Sequence, residues 1–248
     1  MTERAMFIAA DWPAPAQVHA CVSTRNGGCS AAPRDSLNLA QHVGDDPAAV
    51  ARNRRILAAA LGLPAEPAWL EQVHGCAVVE ARGDGIVRTG DAAYTSTPGV
   101  VCAVMTADCL PVLLTDRAGT QVAAVHCGWR GLAAGVLAAT VARFACPGSE
   151  LIAWLGPAIS QRVFEVGPEV RAAFLAPRCD ELIAFDFVED AVERARRRLT
   201  ASPHVTLACA EFPMWWPEGT GDLVVWSEVA SYLTERGCDA PEVGLAAR

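Results

Sequence analysis

The apolar segment 99–115, which reads GVVCAVMTADCLPVLLT, restricts the possible folds of this chain more than any other segment. Its side chains need burial, yet nowhere does the sequence reach the roughly 18 uninterrupted apolar residues of a membrane-spanning helix. Asp108 and Cys109 interrupt the run, and Pro111 follows them. We therefore expect two buried strands joined by a tight polar break, or one strand that bends at this point.

The rest of the chain mixes strand-like and helical segments without the regular alternation of a doubly wound parallel sheet. One helix is expected over residues 46–61, because Asp45 or Asp46 can cap its start and Gly62 can end it. Further strands are expected at 17–23, 68–75, 76–80, 121–125 and 152–155, and further helices at 132–144, 168–176, 188–199 and 222–236. This pattern predicts an α+β fold with mixed α/β layers.

Composition and charge narrow the classes of protein. No linker rich in Ser and Gly or in charge divides residues 1–248, so we expect a single domain. The net charge is −8 and the only basic run, RARRR at 194–198, is interpreted as an exposed helix face, so no nucleic-acid partner is expected. The N-terminal residues lack the apolar core of a signal peptide, which predicts a cytoplasmic protein without membrane contact. A monomer is expected, although the sequence leaves the oligomeric state open.

Two histidines and one cysteine are the candidate catalytic or metal-binding residues. His74 and His126 each follow a strand-like segment and precede a turn that contains glycine, and strand ends are favoured positions for sites. Cys109 lies in the apolar run beside Asp108. A buried carboxylate is costly without a partner, so Asp108 is interpreted either as a cap at the strand break or as part of a site.

These residues are compatible with more than one kind of site. Thiolate and imidazole are preferred ligands of zinc, and catalytic zinc sites keep three protein ligands and an open position. Cys109 as nucleophile with His126 as base would form the Cys–His dyad of an amide hydrolase from the same residues. The spacings of 35 and 17 residues are not those of a local ligand pair, so the residues could also be ordinary core or surface residues.

The segment HCGWRGLAAGVL, which starts at His126, has the features of an anion site. Gly128 and Gly131 let the backbone turn and approach a ligand closely, and a helix is expected to start just after them with free N–H groups. Arg130 provides a fork of donors for phosphate or carboxylate, and Arg25 in the turn STRNGG could do the same. A surface ion pair is the alternative for each arginine.

Several motifs, in this order along the chain, resemble those of the YfiH-like family, which is also called the laccase-domain or polyphenol oxidase family and, more recently, purine nucleoside phosphorylase. They are STRNGG (23–28), LNL (37–39), QVHG (72–75), DAAYT (91–95), TADCLP (106–111), HCGWRG (126–131), LGPAIS (155–160) and FEVG (164–167). The resemblance implies a single domain of mixed β-sheets flanked by helices. It also implies a metal, usually zinc with copper as the alternative, held by His74, Cys109 and His126.

The resemblance also implies activities and roles for residues. The implied reactions are phosphorolysis of adenosine, inosine and methylthioadenosine and deamination of adenosine; a copper-dependent phenol oxidase and cell-wall peptide editing are alternatives, as is a non-catalytic metal-binding protein. Cys109, Asp108 and His126 are expected to be catalytic, with Asp108 moving a proton or supporting a ligand histidine. Arg25, Asn38 and Arg130 are expected to contact the nucleoside or phosphate.

The last part of the chain, residues 177–248, departs from the family pattern. Family members usually carry a cysteine–threonine pair, then a phenylalanine–serine segment and an R-R-x-G turn, none of which follows residue 176 here. The sequence instead contains AEFPMWWP at 210–217 and ends in GLAAR. Contacts to substrate that the family takes from this region are therefore not transferred to this chain.

Overall fold

Residues 6–160 and 163–175 are described by the structure, a computed structural model, and they form strands and helices of mixed order. The strands are β1 (Phe7–Ala9), β2 (Cys21–Ser23), β3 (Leu70–Glu71), β4 (Val78–Glu80), β5 (Arg88–Thr89), β6 (Ala92–Thr95), β7 (Leu110–Asp116), β8 (Val122–Cys127) and β9 (Leu151–Leu155). The α-helices are α1 (Pro47–Leu61), α2 (Trp129–Ala133), α3 (Val136–Val141) and α4 (Pro168–Leu175), and a short 3-10 helix spans Gly148–Glu150.

A five-stranded mixed sheet with the order β4-β6-β8-β7-β9 is the centre of the fold. β4 runs parallel to β6, whereas the pairs β6–β8, β8–β7 and β7–β9 are antiparallel. All residues of β9 are buried, and so are all but one of β7. β9 is apolar along its whole length, whereas β7 is apolar from Leu110 to Leu114 and ends in the buried polar residues Thr115 and Asp116. Two small sheets, β1–β2 and β3–β5, complete the mixed architecture, which confirms the expected α+β fold.

Helix α1 begins and ends at the residues that its local sequence predicts. Asp46 caps α1 by accepting a hydrogen bond from the N–H of Ala48, and Gly62 ends the helix with a left-handed φ of 59°. Asn53 projects from α1 and is fully buried. Its amide accepts the N–H of Cys29 and donates to Ser30, and thereby ties the loop before the helix to the helix itself. The predicted helix over 46–61 is confirmed.

Helix α3 covers the central sheet, and α2 also contacts β8. α3 packs against β8, β6 and β4, and Val136 and Leu137 join the apolar cluster formed by the strands. The sequence predicted one helix over 132–144, but α2 starts earlier and the helix is interrupted at Gly135, where φ is 89°. A residue with this φ leaves the right-handed helical region, so the chain changes direction there.

The apolar segment 99–115 is only partly a strand. β7 covers its second half, whereas the first half contacts the rest of the sheet structure through one bridge between Cys102 and Ala68. Val100, Cys102 and Val104 bury part of their surface against the small cluster around Leu70 without forming a strand. The expectation of two strands or one bent strand was therefore wrong for this half.

The predicted helices at 188–199 and 222–236, the basic run and the divergent segment 177–248 all fall beyond the described ranges. None of the described helices combines the length and apolar character needed to cross a lipid bilayer.

Candidate metal centre

The structure brings His74, Cys109 and His126 together although they come from separate segments. His74 follows β3, Cys109 directly precedes β7, and His126 lies in β8, which pairs with β7 at this end. One potential ligand atom from each residue lies within 4.8 Å of the other two. The Sγ of Cys109 is 3.9 Å from Nε2 of His74, and the two imidazole rings meet edge to face with centroids 4.7 Å apart.

The cluster fits a zinc ion by its donor chemistry, and the pair Cys109–His74 has nearly the spacing that zinc requires. Zinc binds thiolate at about 2.3 Å and imidazole at about 2.0–2.1 Å in a tetrahedral arrangement, which places ligand atoms roughly 3.3–3.8 Å apart. The observed 3.9 Å between Cys109 Sγ and His74 Nε2 lies close to that range. Three ligands would leave the fourth position open, as in catalytic zinc sites.

Gly128 forms the inner wall of the cluster. A Cβ atom at this position would lie 2.8 Å from Cδ2 of His74, 3.1 Å from Sγ of Cys109 and 3.5 Å from Cε1 of His126. Gly131 similarly lets the chain approach the QVHG turn, since a Cβ there would be 2.7 Å from the carbonyl oxygen of Gly75. The two glycines of HCGWRG therefore permit close approach to the ligand side chains and to the ligand-bearing turn.

Asp91 is a buried carboxylate beside the cluster that the sequence reasoning did not assign. Its Oδ1 lies 2.8 Å from Nδ1 of His126 and accepts the N–H of His74, while Oδ2 accepts the N–H groups of Val73 and Gly75. Burial opposes ionisation of Asp91, but these hydrogen bonds outweigh burial and lower its pKa below the ordinary value. The available signal was its place as the one acid of the motif DAAYT.

Two effects determine the state of the His126 ring. Burial lowers the pKa of His126, and the hydrogen bond to Asp91 only partly opposes that effect. The ring is therefore neutral near neutral pH and carries one proton. Because Nδ1 faces the ionised carboxylate of Asp91, the proton belongs on Nδ1, which leaves the lone pair of Nε2 for a metal.

Cys109 does not have the environment of a nucleophile in the absence of a metal. Burial raises the pKa of its thiol, and the negative charges of Asp108 and Asp91 raise it further. Reactive cysteines generally have a lowered pKa next to a cationic group. The contacting imidazole nitrogen also comes from His74 rather than from His126. This arrangement favours a metal ligand over the Cys109–His126 hydrolase.

The structure corrects the interpretation of Asp108. This carboxylate is exposed at a bend before β7, so the cost of burial that singled it out does not apply. Its backbone carbonyl accepts the N–H of Ile159 from the LGPAIS motif, which anchors the bend. The carboxylate that hydrogen-bonds a candidate ligand histidine is Asp91.

Gln72 joins the two segments that carry His74 and Cys109. Its side-chain amide donates to the carbonyl of Met105 at 2.8 Å and accepts the N–H of Met105 at 2.7 Å. The glutamine thus pairs with the backbone just before the TADC bend as a neighbouring strand would. This pairing fixes the distance between the QVHG turn and the TADC bend.

The three residues expected to contact substrate have different surroundings. Arg130 is exposed and lies over the ring of Trp129, with its guanidinium carbon 4.2 Å from the ring centroid. Arg25 is bonded to the backbone oxygen and the carboxylate of Asp35. Asn38 is bonded to Ala40 and to the carboxylate of Asp45. Arg25 and Asn38 therefore order their own loop here, and their role toward substrate stays a prediction.

The sequence of this chain is similar to a known protein family and to named proteins of that family. A family model described as multi-copper polyphenol oxidoreductase laccase matches residues 19–208. A purine nucleoside phosphorylase of Pseudomonas aeruginosa is 55% identical over 202 residues, which are 79% of this chain and 82% of that protein. The purine nucleoside phosphorylase YfiH of Escherichia coli is 54% identical over 199 residues, with coverages of 78% and 82%.

Two solved structures have the same fold. Protein NMB0706 of Neisseria meningitidis superposes with a TM-score of 0.73 at 41% identity and covers 95% of this chain and 86% of its own. YlmD from Geobacillus stearothermophilus superposes with a TM-score of 0.69 at 26% identity, with coverages of 96% and 83%.

Proposed function

This chain belongs to the YfiH-like, laccase-domain family, and we propose that it is a zinc-dependent purine nucleoside phosphorylase. The proposed substrates are adenosine, inosine and methylthioadenosine together with phosphate, and adenosine deamination is proposed as a second activity. The observation that carries the proposal is the cluster of His74, Cys109 and His126 in a chain that is 55% identical to a protein named purine nucleoside phosphorylase.

The metal ligands and their supports have defined tasks in this proposal. His74, Cys109 and His126 would hold zinc, and when bound the ion supplies Lewis-acid chemistry at its open position. Asp91 holds the ring of His126. Asp108, exposed beside Cys109, is the carboxylate that would accept and return a proton at the substrate. Cys109 is then not needed as a nucleophile, nor His126 as its base.

Phosphate binding is assigned to Arg130. Its guanidinium is exposed two residues from Gly128, which contacts the cluster, and stacking on Trp129 limits its motion. Among residues 6–160 and 163–175, no carboxylate pairs with Arg130, so its donors are available to an anion. Bound there, a phosphate oxygen would attack C1′ of the ribose while the bond from C1′ to the purine nitrogen breaks and its electron pair leaves with the base. Arg130 balances the charge of the attacking phosphate.

The direct test is incubation of the purified protein with inosine, with and without phosphate, followed by chromatography. We expect free hypoxanthine and ribose 1-phosphate only when phosphate is present. Zinc-loaded protein that releases no hypoxanthine would contradict the proposal. A parallel incubation with adenosine and no phosphate tests deamination separately, because that reaction yields inosine and ammonia.

The role of Arg130 is tested by Arg130→Ala. We expect a KM for phosphate raised at least tenfold, about 1.4 kcal/mol of lost binding, with a smaller change in the KM for inosine. Arg82→Ala is the matched control, because Arg82 is also an exposed arginine but pairs with Glu80 past the far end of β4. An unchanged KM for phosphate in the Arg130 variant would remove this residue from the proposal.

A copper-dependent polyphenol oxidase is the second candidate, because the matching family model is described as a laccase. Imidazole and thiolate also bind copper, so the cluster by itself does not separate the two metals. Copper-loaded protein that consumes oxygen with a phenol, and does not cleave inosine, would favour this candidate.

A further inference from the structure

Asp91, the first residue of the DAAYT motif, contacts both histidines of the candidate metal centre. The side chain is fully buried and lies directly before β6. Four N–H groups surround its two oxygens, three from the backbone of residues 73–75 and one from the ring of His126. A buried carboxylate is well stabilised as an anion when every group that hydrogen-bonds to it is a donor.

His126 is held by Asp91 at two points. The backbone N–H of His126 donates to the carbonyl oxygen of Asp91 at 2.7 Å, and the ring Nδ1 lies 2.8 Å from Oδ1. The first contact fixes the position of the residue in the sheet and the second fixes the rotation of its ring. Together they direct Nε2 away from the carboxylate and toward the cluster.

His74 is held by the same carboxylate through its backbone. Its φ of 58° is left-handed, a conformation that residues with a side chain rarely adopt. The successive N–H groups of Val73, His74 and Gly75 converge on Asp91 at 3.2, 2.9 and 2.7 Å. Such a concave run of N–H groups binds an anion, and here the anion stabilises the turn that presents the His74 ring.

We propose that Asp91 is a positioning residue that sets both histidine ligands, His126 by its ring and His74 by its turn, for one divalent metal ion. The inference rests on the proposed metal centre and deepens it, because it explains how ligands 52 residues apart in sequence reach one geometry. Asp91 does not contact the metal in this role; it acts through the two histidines.

The variant Asp91→Asn tests the role with almost no change in shape. An amide group replaces one acceptor oxygen with an NH₂ donor, and every neighbour of Asp91 is itself a donor. If the NH₂ group takes the place of Oδ2, it faces the N–H groups of Val73 and Gly75 and the His74 turn loses its support. If the NH₂ group takes the place of Oδ1, it faces the N–H of His74 and Nδ1 of His126. Nδ1 must then accept a hydrogen bond, so the ring proton moves to Nε2 and that nitrogen cannot bind a metal.

Zinc affinity, measured by competition with a chromophoric chelator, should fall about 10- to 100-fold in Asp91→Asn. Cobalt(II) replacing zinc should give an altered ligand-field spectrum, since the geometry of the nitrogen ligands changes while Cys109 remains. The control is Asp116→Asn. Asp116 is also a buried carboxylate that accepts backbone N–H groups, from Thr120 and Gln121, but it lies at the other end of β7. We expect wild-type zinc affinity and cobalt spectrum in that control.

A folded Asp91→Asn protein with wild-type zinc affinity and an unchanged cobalt spectrum would overturn the proposal. If the variant does not fold, the wild-type protein still decides the matter through ¹H–¹⁵N NMR of its imidazoles. Metal-free His126 should carry its proton on Nδ1, with the downfield resonance of a hydrogen bond to a carboxylate. A proton on Nε2 instead would refute the role of Asp91. Neither readout uses a nucleoside, so failure of the proposed phosphorylase activity would leave this test unaffected.

Discussion

Gly128→Ala should weaken zinc binding while leaving the fold in place. The added methyl carbon would lie 2.8 Å from Cδ2 of His74 and 3.1 Å from Sγ of Cys109. The first distance is about 0.6 Å shorter than the 3.4 Å at which ordinary van der Waals contact begins. Metal–ligand distances tolerate deviations of only about 0.2 Å, so relief of this contact would move at least one ligand out of range.

The magnitude follows from how the contact can be relieved. His74 is an exposed side chain on a turn, so its ring can move outward at little cost to folding. Removal of one of three protein ligands from its position should weaken zinc binding by at least the 10- to 100-fold typical of a lost supporting contact. The free energy of unfolding of the metal-free protein should change by less than about 1.5 kcal/mol, within the range of mild overpacking.

Zinc affinity by chelator competition and urea unfolding of the metal-free protein measure the two quantities. Gly83→Ala is the matched control, because a Cβ at Gly83 would meet nothing within 4 Å and its φ is not left-handed. The control should bind zinc as the wild type does. Wild-type zinc affinity in Gly128→Ala would refute the inference that this glycine lines the metal centre.

The remaining predictions concern stability. Asn53→Ala should lower the free energy of unfolding by about 2–4 kcal/mol, measured in urea. The change leaves the Cys29 N–H without its acceptor, and it leaves buried Ser30 and the carbonyls of Ser36 and Asn38 without their donor. Asp116→Asn should flatten the dependence of stability on acid pH. Burial opposes ionisation of Asp116, but hydrogen bonds from Thr120 and Gln121 lower its pKa below the ordinary 3.8. The ionised carboxylate therefore contributes fully to the free energy of unfolding above pH 3.8, and this contribution is lost as the pH falls through the lowered pKa. Urea unfolding at a series of acid pH values measures how steeply the free energy of unfolding depends on pH.

Each of these predictions has a contradicting result. If Asn53→Ala lowers the free energy of unfolding by less than about 0.5 kcal/mol, water or a rearranged loop supplies the hydrogen bonds of the Asn53 amide. An equal acid slope in wild type and Asp116→Asn would mean that the Asp116 carboxylate has the same pKa in the folded and unfolded chain.

Local signals singled out the candidate ligands, and the resemblance to the YfiH-like family then implied that they form one metal site. His74 and His126 each stand at a strand end before a glycine-containing turn, and Cys109 stands at the break in an apolar run. The same holds for α1, whose cap at Asp46 and stop at Gly62 are adjacent to the helix that they delimit. In these cases the residues that decide the structure are neighbours in the chain.

Asp91 could not be assigned in this way because its partners are distant in sequence. It meets residues 73–75 and His126 only after β6 pairs with β8, and no local pattern reports that pairing. Asp108 was singled out on the assumption that an acid within an apolar run is buried. Ala107 and Asp108 instead lie exposed in a bend, since the run contains one strand and not two.

The zinc content of the wild type and of Cys109→Ala tests the central claim most directly. It is measured by elemental mass spectrometry of the purified proteins. Cys102→Ala is the control, because Cys102 is also half-buried and burial raises its pKa to about 12, so its thiol stays protonated at neutral pH. We expect about one zinc ion per chain in the wild type and in the control, and almost none in Cys109→Ala. Full zinc occupancy in Cys109→Ala would contradict the assignment of Cys109 and, with it, the metal centre on which the proposed function rests.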